Sequence, residues 1–130
     1  MDKYEFINKY MTTPYVALGR NPEQGLDCWG LIYFYYKEVL DIELPICDNV
    51  SYESTDNFRK LEIKKRSENF QEISDAEENA IVCVSIASHP FHIGLMLDNK
   101  NMLHTTSKTG IVVEDIKTRK FENRIYGFFK

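Results

Sequence analysis

The chain has 130 residues, of which 43% are hydrophobic and 28% are charged, and these values are ordinary for a folded globular protein. Its length suits one hydrophobic core and is short for two, so we expect a single domain over residues 1–130. The formal net charge is −4, which gives no broad positive field for nucleic acid or an anionic membrane surface. Nucleic acid is therefore not an expected partner.

The sequence has no segment typical of a membrane span or a secretory signal. The longest apolar run, Leu31–Tyr36, is followed by Lys37 and Glu38 and falls far short of the roughly 20 apolar residues that a spanning helix needs. The first ten residues lack the basic flank, apolar core and small-residue cleavage site of a signal peptide. We expect synthesis in the cytoplasm, with delivery by other means if the protein acts elsewhere.

The first half of the chain predicts helices. Apolar residues recur at helical intervals from about Tyr4 to Met11, and turn-forming residues fill the stretch Val16–Leu26. Asp27 is a good N-cap for an apolar helix that runs to about Leu40. Tyr52–Arg66 has the pattern of an amphipathic surface helix, either a lid or a flank.

The second half predicts strands. After a polar connection at Ser67–Asn79, short β-branched or apolar runs alternate with turn residues. The five candidate strands are Ile81–Ile86, Phe91–Leu97, Met102–Thr106, Ile111–Asp115 and Ile125–Phe129. Helices followed by closely spaced strands indicate an α+β domain with an antiparallel sheet.

Cys28 is the candidate nucleophile. The chain has three cysteines without paired-ligand spacing, so neither a disulfide framework nor a zinc knuckle is predicted, and we interpret Cys47 and Cys83 as structural. Cys28 follows the predicted N-cap, where unpaired N–H groups and the helix dipole favour a thiolate. The alternative is a buried cysteine that acts as a small hydrophobic residue.

His92 is the candidate base. Strand alternation predicts Phe91, Ile93, Leu95 and Leu97 on the core face and His92 on the other, pointing away from the core. Gly94, on the same face as His92, leaves room for a close neighbour. The alternative interpretation is a surface histidine beside a hairpin.

His104 is the candidate partner of His92. If Asp98, Asn99 and Lys100 form a three-residue loop, Leu97 pairs with Asn101, and His104 then lies opposite Gly94 and diagonal to His92. A two-residue loop would put the two histidines on opposite faces of the sheet.

Together, Cys28, His92 and His104 supply a nucleophile, a base and a group that fixes the tautomer of the base, which is what thiol-dependent acyl transfer requires. The backbone N–H of Cys28 is placed to donate into an oxyanion hole. One thiolate and two imidazoles also form a known ligand set for catalytic zinc, so a zinc site is the rival hypothesis. His89, which precedes Pro90, is interpreted as part of a hairpin turn.

Several motifs resemble those of the NlpC-type cell-wall peptidases. They are P-Y-V at residues 14–16, G-R-N-P-E-Q-G-L-D-C-W-G-L-I at residues 19–32, H-I-G-L-M-L-D from His92, M-L-H-T from Met102 and R-I-Y-G-F-F-K at residues 124–130. D-C-W-G in place of D-C-S-G resembles the branch carried by tailed phages and gene transfer particles.

The resemblance implies a papain-like α+β fold with Cys28, His92 and His104 as the catalytic triad and no cofactor. It also implies oxyanion or substrate roles for Tyr15, Asp27 and Trp29. The implied substrate is the peptide stem of peptidoglycan, cleaved at a γ-D-glutamyl bond to diaminopimelate or lysine. In this branch the domain works within a phage tail tip, which implies tail proteins as partners and a virion-associated location. The alternatives are a catalytically silent tail-assembly component, or an amidase or acyltransferase with the same triad.

Overall fold

The computed structural model places two helices against one antiparallel sheet. It describes residues 1–46, 70–86 and 89–130, except for the side chains of residues 89–91. The predicted helix at Tyr52–Arg66 lies outside these residues, and so does Cys47.

Both N-terminal helices begin at an aspartate that caps them. Helix α1 spans Lys3–Tyr10 and helix α2 spans Cys28–Val39, which confirms both predictions to within about a residue. The Asp2 carboxylate accepts a hydrogen bond from the Glu5 N–H, and the Asp27 carboxylate accepts one from the Gly30 N–H, each at 2.9 Å. These bonds satisfy N–H groups that have no partner within the helix.

The turn-rich segment before α2 forms a small ribbon. Strands β1 (Arg20–Asn21) and β2 (Gly25–Leu26) pair in antiparallel fashion. The Arg20 guanidinium donates to the Asp27 carboxylate at 2.5 Å, and both side chains are nearly inaccessible to solvent. The ribbon is thereby joined to the start of α2.

The main sheet has six strands. They are β3 (Glu72–Ile73), β4 (Ile81–Ile86), β5 (His89–Met96), β6 (Asn101–Thr106), β7 (Gly110–Asp115) and β8 (Ile125–Phe129), in the spatial order β3-β8-β4-β5-β6-β7 with every neighbouring pair antiparallel. All five predicted strands are present, and the short strand β3 adds a sixth. Strand β3, at the edge of the sheet, was predicted as a connection, because two residues are too few to show strand alternation.

The sheet is covered on both faces. One apolar cluster lies between the helices and the sheet, and includes Cys28, Cys83 and Ile93. A second cluster lies on the opposite face, where Met96 and Met102 pack with Phe121 of a short 3₁₀ turn. The second cluster determines the surroundings of the histidines described below. None of the helices in the described ranges is long and apolar enough to cross a membrane.

Candidate active site

A three-residue loop sets the register between the two strands that carry His92 and His104. The Leu97 N–H donates to the Asn101 carbonyl at 2.8 Å, and Leu95 pairs with Leu103. Asp98 holds the loop, because its carboxylate accepts hydrogen bonds from the N–H groups of Lys100 and Asn101 at 2.9 and 2.7 Å. The bond to the Asn101 side chain and these backbone bonds lower the pKa of Asp98 to about 2. Of the two loop lengths considered, the structure has the three-residue loop.

The same register brings the two imidazoles together. Nε2 of His92 lies 2.9 Å from Nδ1 of His104, within hydrogen-bond distance. Gly94 is the residue that makes room for them, since a Cβ there would lie 2.5 Å from Sδ of Met102 and 3.3 Å from Cβ of His104. The contact predicted between the histidines is therefore present.

The prediction that His92 points away from the core was right about the face of the sheet and wrong in treating that face as open. The alternation holds, because Ile93 and Leu95 lie in the helix-side cluster while Met96 lies in the other. That other face has its own apolar cover, however, and His92 is 0% exposed. Both faces of the strand are buried, so alternation identified the side but not the exposure.

A carboxylate, that of Glu114, contacts the histidine pair and was not predicted. Nε2 of His104 lies 2.9 Å from a carboxylate oxygen of Glu114, and the Lys120 ammonium donates to both oxygens of that carboxylate at 3.0 and 2.8 Å. Strand β7 pairs His104 with Val112, so Glu114, two residues further, lies diagonally on the same face. The signal was available in the sequence but depended on the register of the β6–β7 hairpin.

The surroundings favour a neutral His104 beside an ionised Glu114. Burial lowers the pKa of His104, and the charge of Glu114 opposes that effect without overcoming it. Burial also raises the pKa of Glu114, but the hydrogen bonds from Lys120 and His104 and the charge of Lys120 outweigh it, so that the pKa of Glu114 is lowered overall. An ionised carboxylate only accepts hydrogen bonds, so Nε2 of His104 carries the proton in this contact.

Cys28 occupies the first position of α2 and is 1% exposed. The helix packs against β5 and β6, the strands that carry the two histidines. The thiol therefore lies at the positive end of the dipole of a helix that packs against the strands of the two histidines.

The other predicted site residues lie close to Cys28 in the chain or in space. Asp27 caps α2 and pairs with Arg20, as described above. The indole N–H of Trp29 donates to the Pro45 carbonyl at 2.9 Å, and its ring is buried in the helix-side cluster. Tyr15 forms an isolated bridge with Leu26, two residues before Cys28. The substrate and oxyanion roles of these residues stay predictions.

The zinc hypothesis requires a group of ligands around one point. Among the residues that the structure describes, no three histidine, cysteine, aspartate or glutamate side chains are grouped so as to hold a metal ion.

The sequence is similar to a known protein family and to a curated protein. A model described as the NlpC/P60 family matches residues 12–130. Among curated proteins, the probable endopeptidase YafL of Escherichia coli (strain K12) is 35% identical over 46 residues, which is 35% of this chain and 18% of that protein.

Solved structures show the same fold. A crystal structure of an NlpC/P60 family protein from Bacillus cereus ATCC 10987 matches with a TM-score of 0.63 at 17% identity, over 96% of this chain and 38% of that one. The NlpC/p60 domain of the peptidoglycan hydrolase SagA matches with a TM-score of 0.60 at 17% identity, over 98% of this chain and 94% of that domain. The chain thus spans much less than two thirds of YafL and of the Bacillus protein. These matches confirm the predicted α+β fold of the NlpC type.

Proposed function

The chain belongs to the NlpC/P60 family, and from that premise we propose that it is a cysteine endopeptidase that hydrolyses the stem peptide of peptidoglycan. The observation that carries the proposal is the 2.9 Å contact between His92 Nε2 and His104 Nδ1, on strands against which the helix of Cys28 packs. The names of YafL, a probable endopeptidase, and of SagA, a peptidoglycan hydrolase, support the same substrate and reaction. The finer proposal is cleavage of the γ-D-glutamyl bond to diaminopimelate or lysine.

The contact between the histidines assigns a role to each ring nitrogen of the base. Nε2 of His92 is directed at His104, so Nδ1 is the nitrogen through which His92 exchanges a proton with Cys28 in this mechanism. When His104 accepts the hydrogen bond at its Nδ1, His92 carries its proton on Nε2 and presents a basic Nδ1. His104 thus fixes the tautomer that catalysis needs, the role that the third member of a triad plays.

The reaction then follows in two steps. The Cys28 thiolate attacks the amide carbonyl, and the tetrahedral oxyanion is stabilised by backbone N–H groups at the start of α2, that of Cys28 among them. His92 in its protonated form gives a proton to the leaving amine, and the C–N bond breaks to leave a thioester on Cys28. His92 next takes a proton from water, which attacks the thioester and releases the carboxylate product and the thiol.

The test compares wild-type protein with Cys28→Ala on purified peptidoglycan sacculi, and identifies the released fragments by mass spectrometry. We expect fragments of the stem peptide from wild type only, and their new termini identify the bond. Cys83→Ala is the matched control, because Cys83 is also a buried thiol of the helix-side cluster and should leave the products unchanged. If Cys28→Ala released the same fragments in equal amount, Cys28 would not be the nucleophile.

A second test addresses the thiol and imidazole directly. We expect iodoacetamide to modify Cys28 faster than a model thiol at pH 6, because a thiolate paired with an imidazolium persists at that pH. His92→Ala should slow the reaction at Cys28, with Cys83 in the same protein as the internal reference. Alkylation at the model rate, together with no release from sacculi, would favour the silent tail-assembly component. Fast alkylation without release would favour an amidase or acyltransferase.

The D-C-W-G motif at Asp27–Gly30 supports a further part of the proposal, that the domain acts on the cell wall as part of a phage tail tip. Such delivery would bring a protein made in the cytoplasm to the wall. Mass spectrometry of purified phage or transfer particles from the source strain tests this. Peptides of the chain should be enriched with the tail proteins, and their absence from intact particles would contradict the location.

A further inference from the structure

We propose that Glu114 is a positioning residue of the catalytic site, which acts through His104 to set the tautomer of His92. This inference rests on the proposed function, because it concerns the same histidine pair. The unbroken contact series from Lys120 to Glu114, His104 and His92 carries it.

The direction of the hydrogen bond between the two histidines is ambiguous when the pair is considered alone. A hydrogen bond between two neutral imidazoles can run in either direction. If His92 donates from Nε2, its Nδ1 is basic. If His104 donates from Nδ1, His92 must accept at Nε2 and carry its proton on Nδ1, which makes that nitrogen useless as a base. Two histidines alone do not distinguish these states.

Glu114 removes the ambiguity. As a carboxylate it accepts only, so the 2.9 Å contact requires a proton on Nε2 of His104. Neutral His104 then has its lone pair on Nδ1, and the 2.9 Å contact there requires a proton on Nε2 of His92. The basic nitrogen of His92 is therefore Nδ1, the productive form. When His92 is protonated during turnover, the same lone pair on His104 stabilises the imidazolium.

Lys120 holds Glu114 in the state that this role needs. Its ammonium contacts both carboxylate oxygens, at 3.0 and 2.8 Å, and favours the ionised form. Among the residues that the structure describes, the charged and titratable groups that face His104 are His92 from β5, Glu114 from β7 and Lys120 from the 3₁₀ turn. The His104 side chain is 1% exposed, so water competes little for the hydrogen bonds of its imidazole. The Glu114 side chain is 25% exposed, and we expect the fold to tolerate its substitution.

The variants separate the acceptor from the charge. Glu114→Ala removes the acceptor. Glu114→Gln keeps the length but carries an acceptor and a donor at the same end, so it no longer dictates which nitrogen of His104 is protonated. Lys120→Met keeps the carboxylate but removes its cation. Glu122→Gln is the matched control, since Glu122 is an exposed carboxylate beside the same turn.

The direct readout is the protonation of the imidazole nitrogens, observed by two-dimensional ¹⁵N NMR that correlates ring carbon-bound protons with ring nitrogens. The chain has three histidines, so single substitutions assign the signals. Because the Cys28 thiolate would hold His92 as a doubly protonated imidazolium, each variant is measured in a Cys28→Ala background. There we expect the Nε2–H form for both His92 and His104 without further substitution and with Glu122→Gln. In Glu114→Ala we expect the Nδ1–H form to appear in both rings.

Hydrolysis of sacculi is the second readout. We expect Glu114→Ala to lower kcat about tenfold to a hundredfold, by analogy with the loss of outer partners of metal-ligating imidazoles, with little change in KM. Glu114→Gln and Lys120→Met should fall between Glu114→Ala and wild type. The midpoint of urea unfolding shows whether each variant is folded under assay conditions.

The outcomes are distinguishable. Changed tautomers together with lower kcat support the inference. Unchanged tautomers in Glu114→Ala overturn it, whatever the activity, and so do changed tautomers with full activity. If wild type is inactive on sacculi, the proposed function fails, while the NMR comparison still decides whether Glu114 sets the tautomers.

Discussion

Substitution of the two capping aspartates would measure how much the buried ion pair of Asp27 stabilises the start of α2. Asp2 and Asp27 each accept a hydrogen bond of 2.9 Å from a backbone N–H in the first turn of their helices. Asp2 is exposed, whereas Asp27 is 1% exposed and forms an ion pair of 2.5 Å with Arg20, whose side chain is 7% exposed. The two sites share the cap and differ in the buried ion pair.

The expected losses of stability follow from that difference. Replacing a capping aspartate with alanine costs about 1 kcal/mol, while asparagine caps nearly as well. Removing one partner of a buried ion pair costs about 3 to 5 kcal/mol, because the other charge is left without compensation. We therefore expect Asp2→Ala to cost about 1 kcal/mol, Asp27→Asn about 3 kcal/mol and Asp27→Ala about 4 kcal/mol.

Urea unfolding followed by circular dichroism measures these differences. With a slope near 2 kcal/mol per molar, a loss of about 4 kcal/mol lowers the midpoint by about 2 M, and Asp2→Asn should leave it almost unchanged. The reasoning is refuted if Asp27→Asn is no less stable than Asp2→Asn, since the buried charge would then contribute nothing.

Three further predictions concern other parts of the fold. Gly30→Ala should lower stability by about 1 to 3 kcal/mol, because the new Cβ would lie 2.2 Å from the Gly19 carbonyl oxygen. Alanine is the better helix former, so a higher urea midpoint would show that the close contact does not matter. Asp98→Ala should lower the free energy of unfolding by about 1 kcal/mol at neutral pH. Between about pH 4 and pH 2 the variant should lose less stability than wild type, because the Asp98 carboxylate stabilises the fold only while it is ionised. Parallel curves of stability against pH would count against this. The lowered pKa of His104 means that the unfolded chain binds a proton more readily than the folded one. Acidification from about pH 7.5 to 5 should therefore destabilise wild type more than His104→Gln. Equal losses of stability would argue against burial as the cause of the lowered pKa.

The sequence predicted the parts of the fold that depend on local pattern. Alternation and turn residues located five strands, and the N-cap at Asp27 located α2 to within a residue. The loop from Asp98 was narrowed to two lengths, of which only the three-residue loop lets the histidines share a face; the sequence did not choose between them. Strand β3 was missed because two residues carry no period.

The parts that failed depend on tertiary packing. Strand alternation placed His92 opposite the helix-side core, but nothing in a single strand shows that Met96, Met102 and Phe121 cover that second face. Glu114 was missed for a similar reason, since its link to His104 requires the register of the next hairpin. A carboxylate in a charged stretch was indistinguishable from a solvated one until β6 and β7 were paired.

The ion pair at the start of α2 also connects stability with the chemistry proposed for Cys28. A carboxylate at position 27 caps the helix, but its negative charge is next in sequence to the proposed thiolate and would raise the pKa of a neighbouring thiol. Arg20 offsets that charge while leaving the cap in place.

We therefore expect Arg20→Met to shift the pH midpoint of Cys28 alkylation upward, by about one unit. The double variant Arg20→Met, Asp27→Asn removes both charges and should bring the midpoint back towards wild type. If Arg20→Met leaves the midpoint unchanged in a folded protein, the pair stabilises the helix start without influencing the thiol.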